Sequence, residues 1–265
     1  MGIVLSLQGA HLRALRFGGQ ARAQGPRSAW SDYSGGADSA QYSALRQIDR
    51  SNVHTLKVAW TYPTLDQAGY SFNPLVVDGV MYVLAKNNAV VALDAASGKE
   101  LWLHENRRGK ITTHGINYWE SQDRSDRRLL FANNEQLKAI DARTGQLIPS
   151  FGASGLVDLR AGLERDPSTI AVQSTMPGRV FENLIILGSA TNQEYDSAPG
   201  DIRAYDVRSG KLTWTFHTIP REGEFGAETW PKDAWKTIGG ANAWAEMSVD
   251  EKRGIVYIPT GSPKY

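Results

Sequence analysis

The 265-residue chain contains no cysteine. Disulfides and thiolate metal sites are thereby excluded; the compartment is not, because a large exported domain can hold its fold without disulfides. No run of about 18 apolar residues occurs, so no segment reads as a membrane-spanning helix. An excess of one charge is missing too: 29 basic against 28 acidic side chains leave a net charge of +1. No nucleic-acid or other polyanion partner is indicated. There is no nucleophile elbow, no Walker loop and no His-Glu metal-binding helix, which removes the common hydrolase and nucleotide-binding signatures.

What the chain does have is glycine and tryptophan, 26 and 8 of them. That mixture is common where many tight turns separate aromatic-rich strands. Residues 1–29 read as either a plain leader or a degenerate export signal, disordered and outside the fold. They combine the short apolar "GIVLSL", several arginines and the small-x-small "ARA" at Ala21–Ala23, but His11, Arg13 and Arg16 interrupt the apolar stretch an export signal needs.

Three phrases repeat in the remainder: "VVALDAASGKELWLH" from residue 90, "LKAIDARTGQLIPSFG" from 137 and "IRAYDVRSGKLTWTFH" from 202. Asp94 and Asp141 stand 47 residues apart, and Asp141 and Asp206 stand 65 apart, so the last unit carries an insertion. A period of about 40–50 residues with several strands per unit marks a β-propeller. The phrase itself predicts a hairpin. The Asp carboxylate can accept backbone N–H bonds across the turn. Gly98, Gly145 and Gly210 can adopt the positive φ that such a turn needs. Upstream of each phrase lies another strand, "GVMYVLA", "RRLLFAN" and "NLIILGS", and "RGIVYIPTG" from residue 253 begins a fourth unit. Trp60, Trp102 and Trp214 are expected to pack between neighbouring sheets. The second unit has Ile148-Pro149 in place of its Trp and should be the least regular.

The repeats, the opening "WSDYSGGADSAQYSALRQIDRSNVHTLKVAWTY" (30–62) and "GGANAWAEMSVDEKRGIVYIPTGSP" (239–263) together resemble the pyrroloquinoline quinone (PQQ) dehydrogenases, the glucose-oxidising membrane branch more than the methanol branch. The resemblance implies an all-β fold over residues 30–265. About four blades of four-stranded antiparallel sheet would form an unclosed part of an eight-bladed propeller.

It also implies site residues. Trp244 would be the floor on which the quinone stacks, a flat ring against a large aromatic face. Thr175 in "QSTMPG" would meet a cofactor carboxylate. "GSATNQE" (188–194) would pass the cofactor and its metal, with Ser189 on the cofactor and Asn192, Gln193 and Glu194 offering the oxygen ligands that Ca²⁺ prefers. His114 in "THGINYWE" stands where most of the family carries Arg. A His offers a weaker grip on a carboxylate than a bidentate guanidinium, unless Arg107, Arg108 or Lys110 compensates. No catalytic residue is assigned, because the family's Asp base and the Lys or Arg beside the quinone carbonyl have no counterpart in this sequence.

The implied function is the N-terminal portion of a periplasmic PQQ- and Ca²⁺-dependent dehydrogenase that oxidises sugars or alcohols. Its electrons would pass to a quinone or cytochrome, and the missing C-terminal half is a candidate partner. By itself this portion would not turn over substrate. The alternative is a non-catalytic propeller scaffold for protein contacts, which needs the hairpin phrases but has no use for the segments around Ser189 and Trp244.

Overall fold

The computed structural model describes residues 2–6 (backbone only), 29–67, 69–192 and 197–264. Its sheets follow the repeat. The first holds β2 (Leu75–Val77), β3 (Val80–Ala85), β4 (Ala89–Asp94) and β5 (Glu100–His104), paired in that order. The second holds β6 (Asn117–Glu120), β7 (Arg127–Asn133), β8 (Gln136–Asp141) and β9 (Leu156–Asp158). The third unit begins with the short β10 (Val172–Gln173). It continues with β11 (Arg179–Phe181), β12 (Leu184–Leu187), β13 (Ala190–Thr191), β14 (Ile202–Asp206) and β15 (Leu212–Phe216). Its main sheet runs β11-β12-β14-β15, while β13 pairs with β10. The fourth unit contains β16 (Gly239–Gly240), β17 (Ser248–Asp250), β18 (Ile255–Pro259) and β19 (Pro263–Lys264).

This is the all-β, unclosed part of a propeller that the repeats predict. Only short 3₁₀ turns interrupt it, and among the described residues no helix is long and apolar enough to cross a membrane.

The sheets stack face to face because their strands are apolar on both sides. Along β3, Tyr82 and Leu84 face the second sheet, where they meet Leu129, Phe131 and Ile140. The alternate residues Met81 and Val83 face Trp60 and Tyr62 on the other side. This period-2 partition is the expected geometry of a strand buried on both faces. The second and third sheets enclose Leu130, Leu137, Phe151, Ile185 and Tyr205. Ile186, Ile202, Val249, Val256 and Ile258 fill the space between the third and fourth. Each fully buried Leu, Ile or Phe contributes roughly 1.5–3 kcal/mol by leaving water.

The repeated turns form as their chemistry dictates. Asp94 Oδ1 accepts the backbone N–H of Ser97 at 2.8 Å and its hydroxyl at 2.6 Å. Asp206 Oδ1 does the same for Ser209, at 2.7 Å in both cases. Asp141 Oδ1 takes the N–H groups of Arg143 at 2.8 Å and Thr144 at 3.1 Å. Gly98, Gly145 and Gly210 have φ of 72°, 71° and 71°. The second unit is the irregular one. After its turn only an isolated bridge, Ile140 to Leu147, forms, and the fourth strand is deferred to β9.

At the start of the sequence, Gly2–Ser6 forms β1 and pairs antiparallel with β18, from Gly2 opposite Pro259 to Ser6 opposite Ile255. A sheet edge presents unpaired N–H and C=O groups, and an extended apolar segment satisfies them.

Candidate functional site

In each antiparallel sheet the hairpin turns between first and second strands, and between third and fourth, lie at one end. The connections between second and third strands, and between sheets, lie at the other. The described candidate residues belong to this second end: His114 precedes β6, Thr175 follows β10, Ser189 and Asn192 flank β13, and Trp244 follows β16.

A line of bonds joins them. His114 O accepts the N–H of Asn73 at 2.9 Å, and His114 N–H donates to Thr175 O at 3.4 Å. Two residues before Thr175, Gln173 pairs with Ala190, which brings Thr175 toward Ser189. Asn242 then closes the line. Its Nδ2 donates to Ser189 O at 2.7 Å, and its Oδ1 accepts the Thr191 hydroxyl at 3.4 Å. Gly188 makes this approach possible, because a Cβ there would lie 2.2 Å from Ala243 O.

At the end of the line the Trp244 indole is 60% exposed. It is not sealed among aliphatic neighbours, and its Nε1 edge lies beside Gly261. A large aromatic face left open to solvent in a packed all-β fold is a natural platform for a flat ligand. In the segment that Asn242 holds, Ser189 Oγ and Asn192 Oδ1 are buried with no hydrogen-bond partner among the described residues. A buried polar atom without a partner carries a desolvation cost of about 1–3 kcal/mol, which a ligand, ion or water would relieve. These oxygens fit both a polar cofactor and a hard cation. Gln193 and Glu194, the other two metal-ligand candidates, lie outside the described residues. Among the described residues no cluster of three His, Asp or Glu side chains gathers.

The opening segment runs against the same region. Tyr33 is buried, donates its hydroxyl to Glu246 Oε1 at 2.6 Å, and lies where a Cβ at Gly115 would touch its ring, 2.7 Å from Cδ2. Burial, together with the Glu246 acceptor, pushes its phenol up to about 12, so it remains a donor. Arg179, 1% exposed, holds the segment from below. Its Nη1 donates to Tyr33 O at 2.6 Å, its Nε to Met247 O at 2.7 Å, and its Nη2 to the Ser39 hydroxyl. Nothing local in the sequence marks Asn242, Tyr33 or Arg179 as parts of this framework. Arg107, one of the cations that could support His114, is engaged by Glu105 at 3.0 Å on the surface.

The fold and this face define a propeller domain of the quinoprotein kind. Residues 30–265 match the family model described as "PQQ: Glucose/ethanol/alcohol dehydrogenase, beta-propeller domain", and the chain belongs to that family. It is 32% identical over 242 residues to quinohemoprotein alcohol dehydrogenase ADH IIB of Pseudomonas putida, covering 84% of this chain and 32% of that protein. It is 28% identical to the quinoprotein glucose dehydrogenase of Escherichia coli, covering 88% and 32%. Among solved structures, the quinohemoprotein alcohol dehydrogenase of Comamonas testosteroni superposes with a TM-score of 0.72 at 25% identity, covering 92% of this chain and 37% of that one. The chain thus spans about a third of the length of the relatives it matches.

Proposed function

We propose that this chain provides the cofactor-binding face of a PQQ- and Ca²⁺-dependent dehydrogenase that oxidises the CH–OH group of a sugar or alcohol in the periplasm. The observation that carries the reading is the open indole of Trp244 together with the partnerless buried oxygens of Ser189 and Asn192, in a segment bonded to Asn242 two residues before that indole. A scaffold propeller would have no reason to leave either in that state. The relatives are named as alcohol, glucose and quinate/shikimate dehydrogenases, which supports a hydroxyl-bearing small molecule as donor.

PQQ, when bound, supplies the hydride-accepting quinone and passes electrons to a second quinone or a cytochrome. The residues of this chain would bind and orient it. Trp244 offers a stacking floor. Ser189, Thr175 and His114 offer hydrogen bonds to its carboxylates. Asn192 Oδ1, with Gln193 and Glu194, offers hard oxygens to Ca²⁺. Substrate deprotonation is assigned to no residue of this chain, so catalysis requires residues beyond those in hand.

The test is a titration of the chain with PQQ in the presence of Ca²⁺, followed by tryptophan fluorescence. Saturable quenching is expected, and Trp244→Ala should weaken binding by about 1–3 kcal/mol, one aromatic stacking contact. Absence of quenching in the folded wild type would leave the scaffold reading in its place.

A further inference from the structure

A lysine interrupts the apolar seam between the first and second sheets. In β8, Leu137 and Ala139 turn toward the third sheet, and Ile140 turns toward the first. Alternation along the strand puts Lys138 on the face of Ile140, aimed at the first sheet. It is not on an edge: Lys138 pairs with Phe131 on one side and Leu156 on the other. Phe131 is 1% exposed, and Lys138 itself is half-buried.

The first sheet places a base on the same seam. In β5, Trp102 packs into the core shared with the second sheet, and Leu103 turns away. His104 shares the face of Trp102 and sets its ring edge-on to Phe131, with centroids 6.1 Å apart. Its Nδ1 lies 2.7 Å from Gly145 O. A carbonyl only accepts, so Nδ1 carries the proton and Nε2 keeps its lone pair. Burial, joined by the charge of Lys138 and opposed by the Gly145 bond, holds His104 below the ordinary histidine range, so the ring stays neutral.

No carboxylate balances the amine. Lys86 is paired with Glu100 and Lys236 with Asp233. Among the described residues no ion pair or hydrogen bond engages Lys138. Burial lowers its ammonium from the ordinary lysine range, because an unpaired charge is poorly solvated between two sheets. The neutral amine that burial favours is the nucleophilic form.

We propose that Lys138 is a reactive amine that captures small aldehydes, open-chain aldoses included, as a Schiff base at the seam between the first and second sheets. The lysine nitrogen adds to the carbonyl carbon and a C–N bond forms. The carbonyl oxygen leaves as water with the two amine hydrogens, and nothing is oxidised or reduced. The bare Nε2 of His104 is the group on this seam that can take a proton during addition and return it to the departing hydroxyl. Oxidation of CH–OH groups makes carbonyl compounds, so the dehydrogenase reading supplies reactants of this class. The capture itself rests on the seam alone and needs no cofactor.

The experiment treats the full chain, without PQQ, with limiting glycolaldehyde and cyanoborohydride, which reduces the imine to a stable amine. Labelled peptides are followed by mass spectrometry. Near neutral pH, Lys138 should label about tenfold faster than the exposed Lys99 and Lys211, since each pH unit of lowered titration is a tenfold gain in neutral amine. That ratio should fall as the pH is raised and the exposed amines also lose their protons. Lys138→Arg keeps the charge and the stem, and should abolish the fast phase of uptake while circular dichroism stays native. Lys138 labelling no faster than Lys99 and Lys211 in the wild type would overturn the proposal. So would a ratio that does not change with pH, which reports access alone, or a fast phase that survives Lys138→Arg. No PQQ enters the assay, so failure here and failure of the dehydrogenase reading remain separate results.

Discussion

The indole of Trp102 lies flat against the backbone of Gly145, one unit further along the chain: a Cβ at Gly145 would sit 2.5 Å from ring atom Cε3. Trp60 stands in the same relation to Gly98, also at 2.5 Å. The glycine of each hairpin phrase therefore has two duties. It takes φ near 71° at position 145, and it leaves room for the ring of the preceding unit.

Gly145→Ala tests both at once. The left-handed backbone costs an Ala about 1–2 kcal/mol, and pushing a packed indole aside costs about 1–3 more. A total loss of roughly 2–5 kcal/mol is expected in urea unfolding, with the slope of the transition unchanged. A loss under about 1 kcal/mol would mean that the ring moves freely and does not lock the units together.

This relationship also marks how far the sequence could be read. The Asp and Gly of each phrase act within four residues, so their turn chemistry is visible in the one-dimensional string. The ring on the glycine comes from the previous unit and is not. The second phrase has no Trp to offer, and a Cβ placed at Gly210 would instead meet Val157 Cγ2 at 2.7 Å and Phe151 Cε2 at 3.3 Å. Composition gave no reason to match Phe151 with Gly210. The candidate face was legible only by resemblance. The residues that tie its segments together bond across long separations: Asn242 to Ser189 over 53 positions and Arg179 to Tyr33 over 146. Polar partners that far apart leave no periodicity to detect.

Asn242 is the tie between the two segments of the site and is 6% exposed. Asn242→Ala leaves Ser189 O without its donor inside the fold, at a cost of about 1–3 kcal/mol. The same change should loosen residues 189–192 and weaken PQQ binding. Asn242→Asp keeps the shape but loses the donor, so it should fare no better near neutral pH. Chemical denaturation and PQQ titration of both variants check this. Wild-type PQQ affinity in either would show that the tie does not position the site.

Arg179 links the opening segment to the third and fourth units through two backbone carbonyls and one hydroxyl. Arg179→Met retains much of the apolar stem but strands the carbonyls of Tyr33 and Met247, at about 1–3 kcal/mol each. A combined loss of roughly 2–6 kcal/mol follows. A variant as stable as the wild type would assign the segment to surface decoration.

Asp201 carries the clearest pH dependence. It is 3% exposed, and its Oδ2 has no hydrogen-bond partner. Burial raises its carboxyl above the ordinary carboxylate range, against the opposing pull of His217, Arg221, Arg203 and the Thr218 N–H; Arg165 also lies within electrostatic reach. A raised folded-state value means that folding favours the protonated acid. The stability it contributes is complete below the unfolded-state value and is lost as pH rises through the folded one. Asp201→Asn mimics the protonated form at every pH. It should therefore remove this component of the slope and equal or exceed the wild type in stability near neutrality, while matching it more closely at about pH 4. Urea midpoints of both proteins across that range decide the matter. A variant less stable than the wild type at neutral pH would show that the charge on Asp201 is held by its basic neighbours more strongly than burial opposes it.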